Sequence, residues 1–420
     1  VKVRYLLSKI ADHSDKKKLL KNFMALSVLR GFEFIVPIIT LPYLIRVLGI
    51  ETYGLISFAL AFSLYFGFVI QYGFPLTATR EIARNQDDLM AVSLIYINTL
   101  WSSIFLSLFC LLVLILIIFN VGFFEVDYQL YLLTFLYVAF QNVFPIWFFQ
   151  GMEKMKYIAY INVLTKLVFL IGLFVFVVEE RDYIYVPLMQ LVMAILNVVF
   201  AVYIIKRQFK IGFGLVNVFE VKKVLYANFS VFSSQIMPSI FNNTLPFVLG
   251  LYTNNSIVGM YTAAVRIVDA VNSIGFVISN TFLPHLTNNM LKFNAFKKIM
   301  LSISFFLSLA VFLLADVIEG LVLGETDSDL GYYLQYLSIN VILTFSILIF
   351  STNYLVIMNK DRLIRNVAVS CSSLFLFVSF VFVPVYGIWS ALTLLMGLKF
   401  SMAVISFYYY KKYNAEFGVL

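Results

Sequence analysis

The sequence predicts an all-α polytopic membrane protein of about 12 transmembrane helices, in two six-helix bundles around a central cavity, with both termini cytoplasmic. Three observations predict it. Of 420 residues, 62% are apolar and 12% charged, too few charges to keep a soluble surface wet. The apolar residues gather in stretches of about 20, the length that crosses a hydrocarbon core of roughly 30 Å at 1.5 Å per residue. Basic residues collect at alternate ends of those stretches, as short cytoplasmic loops require. The 45 Phe and 26 Tyr suit lipid-facing and interfacial positions.

In chain order, spans are predicted over 22–45, 53–73, 92–119, 128–150, 158–178, 183–205, 224–250, 257–283, 298–318, 331–358, 364–384 and 386–410. Lys16, Lys17, Lys18 and Lys21 precede the first. That stretch is too long for a signal-peptide core and lacks a small-residue cleavage motif, so it reads as a retained span. The last two spans are separated by the shortest connection, Pro384 to Gly387. Pro42, Pro75, Pro145, Pro187, Pro238, Pro246 and Pro284 lie in or near spans, where proline kinks or ends a helix.

The longest cytoplasmic connection divides the chain into a segment 1–21, a bundle 22–205, a linker 206–223, a bundle 224–410 and a tail 411–420. A faint repeat accompanies this division. Leu41-Pro42-Tyr43 precedes Gly49 and Tyr53-Gly54, and Leu245-Pro246-Phe247 precedes Gly250 and Gly259. Six spans per half give both halves the same orientation, as parallel repeats about an axis along the membrane normal require.

With a cytoplasmic N-terminus, all 30 basic residues except Arg30, Arg46, Lys166, Arg181, Arg266 and Lys399 fall on the inside. The outer segments collect Glu51, Glu125, Asp127, Glu179, Glu180, Asp182, Glu319, Glu325, Asp327 and Asp329. A wrong span count would scramble this alternation.

The net charge of +8 forms no continuous basic stripe interleaved with stacking aromatics, so nucleic acid is excluded as a partner. Cys110 and Cys371 lie in apolar runs apart from His13 and His285, which leaves no disulfide framework and no zinc pattern. There is no phosphate-binding Gly-Lys-Ser/Thr loop and no extramembrane segment large enough for a catalytic or ATP-hydrolysing domain. No cofactor is expected, and the energy source narrows to proton or sodium coupling or to supply and removal of substrate.

Six charges lie well inside predicted spans: Arg30 and Glu33 in the first, Lys166 in the fifth, Arg266 and Asp269 in the eighth, and Lys399 in the twelfth. A charge at a helix centre costs about 2.5–3.5 kcal/mol on insertion scales, so these residues should face the bundle interior. Arg30/Glu33 and Arg266/Asp269 are i,i+3 pairs on one helix face, which allows either local neutralisation or arginines held ready for an anion. Lys166 and Lys399 have no acid three or four positions away, and a hydrated lumen or an anionic substrate would compensate them. The surplus is positive. It suits a pyrophosphate and disfavours an organic cation. Gln141 and Asn142 before Pro145, Asn242 and Asn243 before Pro246, and Asn272 after Asp269 are candidate sugar contacts, or equally ordinary hydrogen bonds between helices. Glu33 and Asp269 are candidates for ion coupling or charge pairing.

Several segments together carry a family resemblance: Pro37-Ile-Ile-Thr-Leu-Pro42-Tyr43-Leu-Ile-Arg46-Val-Leu-Gly49, Glu51-Thr-Tyr53-Gly54, Gln71-Tyr72-Gly73, and Thr79-Arg80-Glu81-Ile82-Ala83. Trp147-Phe-Phe-Gln150-Gly151 with Glu153-Lys154-Met155 and Tyr261-Thr-Ala-Ala extend it. These resemble the bacterial polysaccharide-biosynthesis flippases of the Wzx type, in the superfamily that includes multidrug and toxic-compound extruders and lipid II flippases. The resemblance implies a V of two six-helix bundles in the bacterial inner membrane. It also implies outward movement of undecaprenyl-pyrophosphate-linked oligosaccharide repeat units, such as those of O-antigen, by alternating access. Arg30 and Arg266 resemble cavity arginines of lipid-linked sugar flippases, and Lys166 and Lys399 would join the same lumen. Membrane lipids, a glycan polymerase and a chain-length regulator are the implied partners. The second span has no basic residue in its interior, a departure from the lipid II flippases. The rivals are proton- or sodium-coupled drug or metabolite efflux, disfavoured by the positive surplus, and a membrane enzyme acting on lipid-linked glycans, disfavoured by short outer loops.

Overall fold

The computed structural model describes residues 13–417 apart from 213, 215–217, 289, 291–292 and 325–327, and the side chains of 13–35, 234, 236–239, 242, 284–285, 288 and 416–417 also lie outside the description. The regular structure among the described residues is helical: α1 (His13–Gln71), α2 (Phe74–Arg84), α3 (Leu89–Asn120), α4 (Tyr128–Val143), α5 (Ile146–Gly151), α6 (Met155–Phe176), α7 (Tyr185–Phe209), α8 (Val218–Tyr252), α9 (Asn255–Asn288), α10 (Phe293–Leu313), α11 (Ala315–Leu323), α12 (Leu330–Leu337), α13 (Ile339–Ile347) and α14 (Asp361–Phe417). A π-helical stretch, Leu348–Leu355, continues α13. Among the described residues nine helical stretches are long and apolar enough to cross a membrane. Two of them, Val36–Arg84 and Asp361–Ala415, are 49 and 55 residues long, well beyond the roughly 20 that one crossing takes.

Glycine resolves that excess length. Gly387 interrupts α14 at φ 57°, ψ −136°, outside helical geometry and at the shortest connection predicted from sequence. A Cβ placed on Gly397 would lie 2.7 Å from Cε1 of Phe375. In a straight helix those residues would stand about 33 Å apart, so α14 doubles back at Gly387 and its two arms pack together. Gly49 interrupts α1 in the same way, at φ 78°, ψ 161°. At the end of α1, Tyr72 and Gly73 both take positive φ, 44° and 76°, and turn the chain into α2.

The long helices are sided as a lipid solvent demands. α3 starts at Asp88, whose carboxylate accepts from the amides of Met90 and Ala91, both at 3.0 Å. Leu106, Cys110, Leu114 and Ile118 recur every fourth residue on its buried face, with Ser102 and Ser103 one turn before and Thr99 two turns before. Phe105, Leu108, Phe109, Leu112, Leu116 and Phe119 are exposed on the other. An exposed apolar stripe of helical period would precipitate a soluble protein and is the normal exterior of a membrane one. The chain is a multi-pass membrane protein.

Two compact units make up the molecule. The first contains residues 13–36, Phe66–Val177 and Ile184–Ser233. Its core joins Phe74, Ala78 and Ile82 of α2 to Tyr96 of α3, Trp147, Phe148 and Phe149 of α5, and Ala201 and Ile205 of α7. Pro145 starts this arrangement by ending α4 and releasing α5 as a separate short helix, as its lack of an N–H requires. The second unit contains Pro37–Tyr65, Val178–Tyr183 and Ser234–Leu420. There Gly54 of α1 and Gly259 of α9 face each other: a Cβ on Gly54 would overlap the Asn255 carbonyl, and one on Gly259 would overlap the Ile50 carbonyl. The two glycines singled out by the sequence repeat thus let two backbones touch.

Candidate functional site

The polar centre of the second unit is built from α9, α13 and α14. Asp269 lies 14 residues into α9, about 21 Å from its start, and Lys399 lies 12 residues beyond the Gly387 turn, about 18 Å. Both are therefore at depth. Lys399 Nζ donates to Asn340 Oδ1 at 2.8 Å and to Thr344 Oγ1 at 3.2 Å, and stands 3.8 Å from Asp269 Oδ1. Asn272, one helical turn from Asp269, donates through Nδ2 to Asp269 Oδ1 and to Asn340 Oδ1, each at 3.3 Å. Thr344, one turn from Asn340, donates to the same Asn340 oxygen at 3.2 Å. Asn272 and Asn340 are each 1% exposed, while the Asp269 side chain is 58% exposed. A carboxylate that open at mid-span cannot face acyl chains cheaply, so this face of α9 borders water.

The centre corrects the pairing expected for two residues. Lys399, with no acid on its own helix, is met by Asp269 from α9. Asp269, expected beside Arg266 at i,i+3, turns to Lys399 instead. Arg266 lies over the ring of Tyr53, its guanidinium carbon 5.9 Å from the ring centroid, and among the described side chains no carboxylate forms an ion pair with it. Tyr53 is itself 2% exposed and sits one residue from Gly54, so the close glycine crossing sets the ring on which Arg266 lies.

The other candidates are described each within its own unit. Lys166 is half-buried on α6 of the first unit, beside Thr165, whose hydroxyl donates to Asn197 of α7 at 2.7 Å. Gln141 is exposed on α4, and half-buried Asn142 donates to the carbonyl of Val138 on its own helix at 2.8 Å. Asn243 is half-buried on α8 in the second unit. Arg30, Glu33 and Asn242 have side chains outside the described residues, as does His285. Asp269, Asn272 and Lys399 are thus the candidates the structure brings together. Asn340 and Thr344 were missed, although two polar residues four apart within an apolar span share one helix face and were open to detection on that ground.

In the first unit two of the resemblance segments meet. Thr79 of α2 donates to the Trp147 carbonyl at 3.3 Å and stands 3.4 Å from Gln150 Oε1, and Gln86 donates to the Gly151 carbonyl at 2.6 Å. A Cβ on Gly151 would press on Ile82 at 2.7 Å. These segments hold each other, which gives their residue types a packing reason.

Comparisons with known proteins follow this geometry. A family model described as "Polysaccharide biosynthesis protein" matches residues 19–290. A "Putative O-antigen transporter" of Escherichia coli (strain K12) is 27% identical over 282 residues, 66% of this chain and 67% of that protein. A "Putative O-antigen transporter" of Shigella dysenteriae is 23% identical over 380 residues, 88% of this chain and 94% of that protein. In fold, the chain is similar to an inward-facing multidrug resistance MATE family transporter of the MOP superfamily, with TM-score 0.69, 14% identity and coverage of 91% of this chain and 95% of that one. A MOP superfamily transporter from Pyrococcus furiosus, described as having a binding pocket of reverse polarity, matches with TM-score 0.56 and 13% identity over 94% of this chain and 96% of that one. The chain belongs to the polysaccharide biosynthesis protein family, a transport family rather than an enzyme family, and has the fold of the MOP superfamily transporters.

Proposed function

We propose that the chain translocates undecaprenyl-pyrophosphate-linked oligosaccharide repeat units, of O-antigen or a related surface polysaccharide, from the inner to the outer leaflet of the bacterial inner membrane by alternating access. The observation that carries this reading is the similarity along 88% of the chain to a protein described as a putative O-antigen transporter. The charge at depth supports it. Arg266 rests on an aromatic face, which leaves its planar fork of N–H donors available to two phosphate oxygens at once. Arg30 and Lys166 are proposed to serve the same anion, and Gln141, Asn142, Asn242 and Asn243 to meet sugar hydroxyls. Glu33 is the remaining candidate for ion coupling. A glycan polymerase and a chain-length regulator are the proposed partners, consuming the repeat units after they cross.

Reconstitution into liposomes with defined polyprenyl-pyrophosphate glycans, scored for leaflet transfer, tests the reading. Wild type is expected to transfer the glycan lipid, and Arg266→Ala and Arg30→Ala to lose at least tenfold in rate while remaining folded, since each gives up a charge-assisted contact of about 1.5–3 kcal/mol. Transfer unchanged in both variants would remove the arginines from the substrate path. Export of a cationic dye without transfer of the glycan lipid would replace the reading with drug efflux.

A further inference from the structure

The centre formed by Asp269, Asn272, Asn340, Thr344 and Lys399 has the composition of a monovalent-cation site in which the cation is part of the chain. Three oxygens from two neighbouring helices, α13 and α9, surround Lys399 Nζ: Asn340 Oδ1 at 2.8 Å, Thr344 Oγ1 at 3.2 Å and Asp269 Oδ1 at 3.8 Å. An ammonium has three N–H donors and no acceptor, so three oxygens match it in number. The orientation of both amides follows. Asn340 must turn its oxygen to the ammonium. Asn272, placed between that oxygen and the Asp269 carboxylate, must turn its NH2 to both. Its own oxygen is then left buried with no donor, in a side chain 1% exposed. A buried acceptor without a partner is costly, so the amide is held in this orientation by the two oxygens its NH2 meets, and those oxygens stay turned to the positive charge of Lys399.

We propose that Lys399 is a tethered cation that occupies this site, so that the protein needs no sodium there, and that removing the lysine side chain converts the centre into a binding site for a small monovalent cation. Without the ammonium, Asp269 keeps one negative charge, and the oxygens of Asn340 and Thr344 lie around the vacated position. A lone carboxylate among neutral oxygens calls for one positive charge. Asp269 therefore acts as the permanent partner of Lys399, and the centre joins α9, α13 and α14 by a charge that does not dissociate into the medium. The assignment concerns the site itself and is independent of which glycan is carried.

The test is thermal unfolding of the purified full-length chain in matched sodium, ammonium and N-methyl-D-glucamine chloride, a readout that requires no substrate and no transport. Wild type is expected to give one midpoint in all three salts. Lys399→Ala is expected to unfold at lower temperature in N-methyl-D-glucamine, whose cation is too bulky for the site, and to regain part of the loss in sodium or ammonium, rising with their concentration. Asp269→Asn/Lys399→Ala, which has no charge left to neutralise, should respond to none of them. Lys399→Met, which keeps much of the apolar stem, carries the same expectation and serves if the alanine variant does not fold. A wild type stabilised by sodium as strongly as the variants, or Lys399→Ala and Lys399→Met midpoints indifferent to the cation, would overturn the proposal. Because folding is read instead of flux, a failure of glycan transfer leaves the outcome interpretable.

Discussion

Glu319 of α11 binds donors with both carboxylate oxygens. One oxygen accepts from the Ser328 amide at 2.8 Å and from the Ser328 hydroxyl, and the other accepts from the Gly331 amide at 3.1 Å. The Gly331 amide belongs to the first turn of α12, where backbone N–H groups lack helical partners, so Glu319 caps a helix from a distance. The next carbonyls of α11, Gly320 and Leu321, accept from Arg46 at 3.2 and 2.5 Å, which places a cation where the helix dipole is negative. Glu319→Ala should lower stability by about 1–3 kcal/mol, because it strands buried amides without supplying a replacement acceptor. Glu319→Gln keeps one acceptor oxygen and should recover part of the loss. Unfolding midpoints of the two variants against wild type check the ordering, and an alanine variant as stable as wild type would deny the cap. From sequence, Glu319 and Arg46 were legible as charges on the outer side. Their joint engagement at α11 was not, because Arg46 is far away along the chain.

At the scale of elements, glycine decides where helices touch and where they reverse. The crossing of α1 and α9 relies on Gly54 and Gly259, each of which meets a carbonyl of the opposing helix with no room for a side chain. Gly54→Val or Gly259→Val must push the helices apart, disturbing the Tyr53 ring beneath Arg266 along with the packing. We expect a loss at or above the roughly 1–3 kcal/mol typical of overpacking, because backbone yields less readily than a flexible side chain. Detergent-solubilised yield and unfolding midpoint would show it, and unchanged values would mean the helices have slack. The reversal at Gly387 was readable in advance, because Pro and Gly punctuate an otherwise unbroken apolar run. The division of one predicted span into α4 and α5 was less so, since hydropathy gives length and Pro145 alone marks the break. The link between Asp269 and Lys399 was invisible to any local rule. Spacing on one helix reports neighbours three or four apart, and these two residues share no such window.

The whole molecule is read most directly through its charge distribution. Both termini are expected in the cytoplasm, because the basic residues of 206–223, 292–298 and 411–412 then lie on one side and the acids of 179–182 and 319–329 on the other. Reporter fusions that fluoresce only in the cytoplasm, placed after residue 420 and within 179–182, should be bright and dark respectively. The opposite pattern would invert the topology and, with it, the direction of the proposed transport. The apolar exterior and the presence of many long apolar helices could be anticipated because a bilayer imposes one length and one surface chemistry on every span. The membership of the two compact units follows long-range packing that hydropathy does not encode: residues 37–65 group with 234–420.

The connection after α7 illustrates what such packing does to a segment that composition marks as a simple joint. Trp101 of α3 donates its indole N–H to the Gly214 carbonyl at 2.9 Å, Ile97 lies against the Gly214 Cα, and Ile211 is 4% exposed. A proteinase needs an extended, unencumbered stretch of backbone to fit its cleft. At Gly214 it would find a carbonyl already engaged and at Ile211 a side chain withdrawn, so these two residues are shielded from nicking for as long as α3 keeps its grip.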